Sequence, residues 1–465
     1  MKLSREILRL AVPSILANIT VPLVGMADIA VAGHLPDASS ATLIGGISIG
    51  TMLFDLLYWN FGFLRAGTGG LTAQAFGRGE NTGGILRRAL RIALLSGLVL
   101  IALQWAVVWL AFLLVDCSPQ VQELATRYFY LRIWAAPATL SLFAFKGWFI
   151  GMQDSVRPMT ADLLVNGLNI LLSIGLGFGL GPLPALGFSG IALGTVLAQW
   201  SGFAYCLLAS RHRYGFAPGA KTASGAPGKA QNSAPGANSG SGAPGKCDEK
   251  GNGRFFTLNR DLFLRSIGMI AVYIGFTVIS ARYGDLMLAV STVLMKLLMF
   301  FSYFTDGFAY AGEALTGRFI GEGSNEGVHS TIRDTFAWSF GLAGVFMLLY
   351  WLGGVPLFRL MTADATVVDA GREFLPWLLL MPLIGCPAFV WDGIFIGATA
   401  SQDLRNSTLL CALGYFAVWF LGVDFTHTPQ AAIHLLMAAY FMHLAVRTVY
   451  LSLRQRVIYA DISNR

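Results

Sequence analysis

Asp28 stands inside an apolar run that reaches from about residue 7 to Gly33, with Val24, Gly25 and Ala32 near its face and no Lys or Arg within one turn, and so reads as unpaired. An ionisable group in such a place costs roughly 2.5 to 3.5 kcal/mol on insertion scales, so it requires a partner or a purpose. A carboxyl group there can take up and release a proton; the alternative is a structural hydrogen bond near the helix end. Asp162, Asn166, Asn169 and Ser173 recur at helical intervals and share one face, either as a wet lining or as interhelical hydrogen bonds. Thr292, Lys296, Tyr303, Asp306, Tyr310 and Glu313 trace a second polar face. An unpaired ammonium in mid-bilayer is disfavoured, so Lys296 is expected to pair with Asp392 or Asp306. Lys146 and Asp392 precede matching glycines with opposite charge, and Asp55 is a candidate partner for Lys146. Asn166, Asn169, Ser173, Lys296, Tyr303, Asp306 and Asp392 are the candidate cavity-lining residues. Pro13 and Pro22 interrupt the ladder of the first helix, giving either a bend that responds to Asp28 or a static kink.

The elements that position these residues follow from composition. The 465 residues are 55% hydrophobic and 12% charged, with a mean hydropathy of +0.62. Soluble domains spend about 25% of their residues on charge. Apolar runs of about 20 residues recur, the length that spans a hydrocarbon core as helix. They are continuous rather than alternating, which excludes a barrel and makes the fold class all-α. The net charge of +7 is spread over short loops, not gathered into a nucleic-acid-binding patch. Five cysteines lie without a C-x-x-C pair and read as structural, as do His434 and His443. Met1 to Arg9 and the run behind it resemble a signal peptide, but the run is too long and carries Asp28, so an uncleaved first helix is expected.

Twelve spans are expected, at about 7–33, 41–65, 90–114, 125–150, 159–180, 188–210, 261–283, 286–312, 331–352, 371–397, 406–423 and 430–452. The even-numbered loops carry Arg78, Arg87, Arg88, Arg157, Arg211, Arg213, Lys221, Arg318 and Arg405, which puts them and both termini in the cytoplasm. Residues 215–254, rich in Gly, Ala, Pro and Ser, read as a disordered cytoplasmic linker between lobes 1–214 and 255–465. The lobes repeat each other. Leu71-Thr72 through Asn81 parallels Leu315-Thr316 through Asn325, and Phe149-Ile150-Gly151 parallels Phe395-Ile396-Gly397. Repeats of like orientation imply a pseudo-two-fold axis along the membrane normal and suit alternating access.

Phe61 to Gly67 with Leu71 to Ala75, Ser302 to Phe308 with Glu313-Ala-Leu, Asp392 to Thr399 with Arg405-Asn406, and Ala27 to Leu35 carry a resemblance. Over nearly the whole chain outside the linker, the sequence resembles the multidrug and toxic compound extrusion (MATE) family, in particular its DinF-like branch. The resemblance implies a secondary antiporter in the cell (inner) membrane, with two six-helix lobes about a central cavity. Such a carrier exports small lipophilic or cationic compounds against inward H+, or less favourably Na+. It also implies Asp28 as the ion-coupling residue. Where this sequence has Ser173, the family often has Asp, so a two-carboxylate cation site is in doubt. No cofactor, enzymatic activity or nucleic-acid partner is expected, and the carrier is read as a monomer. A lipid or lipid-linked glycan flippase is the alternative, disfavoured by the mixed intramembrane charges. An intramembrane enzyme lacks H-E-x-x-H and G-x-S-x-G, and a channel would usually form its pore by oligomerisation.

Overall fold

Apolar runs that cross a bilayer must satisfy their backbone hydrogen bonds internally. In the computed structural model the described residues, 2–35, 39–114, 117–180, 184–215, 247–362 and 365–463, accordingly form helices and the turns between them. The N-terminal lobe comprises α1 (Lys2–His34), α2 (Ser40–Asn60), α3 (Gly62–Gly77), α4 (Gly83–Ala102), α5 (Gln104–Leu114), α6 (Pro119–Arg132), α7 (Ala136–Gly151), α8 (Val156–Phe178) and α9 (Phe188–Tyr214). The C-terminal lobe comprises α10 (Cys247–Ala281), α11 (Asp285–Glu322), α12 (Asn325–Met361), α13 (Ala365–Gly371), α14 (Leu375–Gly397), α15 (Ser401–Gly422), α16 (Pro429–Leu453) and α17 (Arg456–Ser463).

Among the described residues, eleven segments are long and apolar enough to cross a membrane, and α4 with α5 makes a twelfth bent by 63°. The chain is therefore an all-α, multi-span membrane protein of two six-helix lobes. The third span differs from the straight helix expected at 90–114. Its α4 alone is about 30 Å long at 1.5 Å per residue. The turn at Leu103 then redirects α5, which leaves Trp105 and Trp109 exposed, and tryptophan favours the membrane interface. The expected linker falls mostly outside the described residues, and its last positions, from Cys247 onward, already belong to α10.

Capping explains several boundaries. Ser118 and Thr428 cap α6 and α16, each followed by a proline that needs no donor in the first turn. The duplication extends to the backbone. Left-handed glycines Gly79 (φ +69°) and Gly323 (φ +75°) end equivalent helices. Two non-glycine residues, Gln153 (φ +63°) and Thr399 (φ +56°), hold the same conformation in the equivalent turns after α7 and α14. For a β-branched threonine this is a strained state that its surroundings must enforce.

The helices α7 and α14 pack deep within their lobes by giving up side chains. Gly147 lies on the Arg65 carbonyl as Gly393 lies on that of Ala309, and Gly151 and Gly397 repeat the arrangement on Gly69 and Glu313. Gly147→Ala is expected to cost about 1–3 kcal/mol by overpacking. Its thermal midpoint in detergent should fall by several degrees, whereas Gly167→Ala, which meets open space, should melt like the unsubstituted protein.

The lobes meet along α1, α3 and α11. Ile7, Leu10 and Ala11 pack with Phe308, Ala311 and Leu315. Polar bonds reinforce this seam. Glu6 accepts from Arg318 (3.1 Å), Asn18 donates to the Tyr303 carbonyl (3.1 Å), and Gln153 donates to that of Ala314 (2.7 Å). Gln74 donates to the Gly397 carbonyl and to Thr399, each at 3.2 Å. The two strained turns thus both touch the opposite lobe. The bonds of Glu6, Gln153 and Gln74 lie toward the end of the bundle that carries the N-terminus, here the amino end, and the Asn18 bond lies midway along α1 and α11. Nearer the far end, Ser48, Met52 and Asp55 on α2 and Thr292 and Lys296 on α11 are exposed.

Candidate functional site

Asp28 is buried in the N-terminal lobe, 5% exposed, where α1 packs on α8. The Ser173 hydroxyl donates to its Oδ1 at 3.0 Å, so the residue that stands where the family often has Asp is Asp28's direct partner. Asn169 lies beside the same hydroxyl at 3.4 Å and donates to Thr195 at 2.8 Å. Asn166 donates to Thr20 at 2.6 Å, and Thr20 donates to the Ala17 carbonyl. Asp162 completes the stripe by pairing with Lys146 at 2.5 Å. The α8 stripe is therefore spent on α1, α7 and α9. Two expectations need correction. Lys146 pairs with Asp162 rather than Asp55, because α7 packs against α8, while the charge acting most on Asp55 is that of Arg132. Asp28 is not without a partner, since Ser173 supplies one from 145 positions away.

Sequence reasoning passed over Arg132. It donates to Tyr128 at 2.8 Å and sits over the Phe54 ring at 4.9 Å. It is the cation that acts on both Asp28 and Asp55. α1 runs unbroken through Pro13 and Pro22.

Asp392 is buried in the C-terminal lobe and clamped by two arginines. Arg447 donates to its Oδ1 at 2.9 Å, and Arg265 donates to Oδ2. This overturns the expected pairing of Lys296 with Asp392. Both arginines reach Asp392 from helices of its own lobe, α10 and α16, whereas Lys296 points outward and is exposed. Asp306, the other expected partner, is half-buried and makes no ion pair with Lys296; the charges acting on it are those of Arg65, Arg447 and Arg265. Tyr303 meets the N-terminal lobe through its carbonyl. Arg265 and Arg447 lie close to the ends of the spans expected at 261–283 and 430–452, where arginines commonly snorkel to water. The insertion cost applied to Asp28 applies equally to them and was the signal available.

Between the lobes, Arg65 of α3 donates to the buried Glu313 of α11 at 3.0 Å and lies over the Tyr310 ring at 4.3 Å. Beside this pair is a cavity of about 140 Å³ lined by Ser14, Asn18, Arg65, Lys146, Asp162 and Tyr310. Among the described residues, no three His, Cys, Asp or Glu side chains are grouped as metal ligands.

Comparison with known proteins agrees with this architecture. The MatE family model matches residues 13–174 and 262–419, one stretch in each lobe. The chain is 33% identical over 447 residues to DNA damage-inducible protein F of Escherichia coli (strain K12), covering 95% of this chain and 90% of that protein. It is 28% identical over 206 residues to a probable multidrug resistance protein NorM of Synechocystis, covering 42% of each. An outward-facing structure of a multidrug resistance MATE family transporter of the MOP superfamily superposes with a TM-score of 0.80 at 16% identity. That superposition covers 98% of this chain and 96% of the other. The chain therefore belongs to the MATE family of multidrug transporters.

Proposed function

We propose that this transporter is a secondary antiporter that exports small organic compounds, lipophilic or cationic, against protons entering through Asp28. The observation that carries this reading is Asp28 itself, a buried carboxylate hydrogen-bonded to the neutral Ser173. With one carboxylate in direct contact, the site suits a single proton better than a metal ion, which gathers several oxygen ligands. The pattern of Arg78, Arg87, Arg88, Arg157, Arg211, Arg213, Arg318 and Arg405 supports a cytoplasmic amino end in the cell (inner) membrane. Lobes sealed at that end and exposed toward the other fit an outward-open state, and rocking about the seam exchanges access. The carrier is read as a monomer that needs no cofactor beyond its coupling ion.

The test is efflux of a lipophilic cation from proteoliposomes under imposed pH or Na+ gradients, one at a time. Acceleration by the pH gradient alone is expected; acceleration by Na+ alone would overturn proton coupling. Ser173→Asp, which places a second carboxylate against Asp28, is expected to make efflux respond to Na+. A Ser173→Asp protein as indifferent to Na+ as the unsubstituted one would show that Ser173 does not set ion choice.

A further inference from the structure

The α3/α11 seam fixes a register that can be followed along both helices. Gly69 faces Glu313, Ala73 faces Gly317 and Gly77 faces Gly321. The members of each pair are equivalent positions of the two halves, separated by one constant interval along the chain. The pseudo-two-fold axis therefore passes between α3 and α11, and small residues bring the backbones together there. Helices that leave an axis from matched points reach matched heights. At 1.5 Å per residue, Asp55 stands about 21 Å of helix beyond Gly69, and Lys296 about 25 Å beyond Glu313, a difference of less than one turn.

Asp55 and Lys296 lie on opposite lobes and are both exposed, and Lys296 is one of the charges acting on Asp55. They are not ion-paired with each other in this structure, and Arg132 of its own lobe acts more strongly on Asp55. At the amino end of the same two segments, the half-buried Arg65 is paired with the fully buried Glu313. The polarity is reversed between the two levels. The N-terminal segment carries the acid outward and the base inward, and the C-terminal segment carries the base outward and the acid inward.

We propose that Asp55 and Lys296 are the far-end latch of this transporter, closing when the Arg65–Glu313 latch at the amino end opens. The proposal rests on the alternating-access reading and adds to it the residues that balance the two states. Parting the lobes at the amino end strips the buried Glu313 of its cation, which is strongly unfavourable. Joining Asp55 to Lys296 at the far end replaces one inter-lobe ion pair by another. A carrier needs such a balance, because both access states must be populated for turnover.

The experiment reads the far-end opening directly and needs no substrate. Spin labels at Ser39→Cys and Arg282→Cys, in the full chain with its native cysteines replaced and held in lipid nanodiscs, report the distance across that end. The unsubstituted background is expected to show a long and a short population. Asp55→Lys and Lys296→Asp should each reduce the short population at least fivefold, the double exchange should restore it to within twofold, and Glu313→Gln should increase it. A short population indifferent to both single exchanges, or not restored by the double one, would overturn the latch alone. Absence of any short population in the background would overturn alternating access and the latch with it.

Discussion

Asp28→Asn is expected to lower pH-gradient-driven efflux about a hundredfold, the scale of losing a group that handles a proton, while leaving the protein folded. Asparagine has nearly the shape of aspartate, and its carbonyl oxygen can still accept the Ser173 hydroxyl that now lies 3.0 Å from Oδ1. The two readings of Asp28 are thereby separated. If its work were a structural hydrogen bond, Asn would perform it and coupled efflux would persist. Ser173→Ala removes the bond but keeps the carboxylate. Its loss should be smaller, roughly three- to tenfold, matching the 0.5–1.5 kcal/mol of an ordinary hydrogen bond. Efflux rates at equal protein per liposome, set beside elution profiles in detergent, decide the matter. Near-normal coupled efflux by Asp28→Asn would remove Asp28 from the mechanism.

Asp392→Leu should act on stability rather than coupling. It leaves the half-buried Arg265 and the buried Arg447, only 1% exposed, beside an apolar side chain. Breaking a buried ion pair from one side costs about 3–5 kcal/mol, because the remaining charge stays desolvated. With two guanidinium groups stranded, the variant is expected to aggregate in detergent or melt far below the unsubstituted protein. The triple variant Asp392→Leu, Arg265→Met, Arg447→Met removes all the charges together, and its melting should return to near normal. An Asp392→Leu protein that melts normally would show that the three residues do not hold the lobe together.

The fold was legible because its signals are repetitive and local. Apolar runs of bilayer length mark the spans, and paired motifs such as Gly77 to Asn81 and Gly321 to Asn325 mark the duplication. Three of the family's motif blocks fell where the seam and lobe centres lie, and the fourth, Ala27 to Leu35, packs within the N-terminal lobe. The partners of the buried charges were not legible. Asp392 is joined to Arg265 across 127 positions and to Arg447 across 55, and no periodicity connects residues so far apart. Lys146 illustrates the same limit at short range. Its partner Asp162 lies on the next helix, and helical spacing says which residues share a face but not which neighbour that face meets. The bend at Leu103 was equally silent. Val99 to Ala102 before it and Trp105 to Leu113 after it are apolar alike, no Gly or Pro marks the turn, and the single polar Gln104 beside it does not by itself break a helix.

The Gly69–Glu313 contact on the pseudo-symmetry axis says something about why the two halves are one chain. In an assembly of two identical halves, whatever stands at that position must face a copy of itself. Two glutamates would repel each other in a dry interface, and two glycines would leave Arg65 with no acid to meet. Covalent fusion frees the position to be glycine on one side and glutamate on the other. The charge that ties the lobes together at the amino end is thus available only to two halves that have diverged.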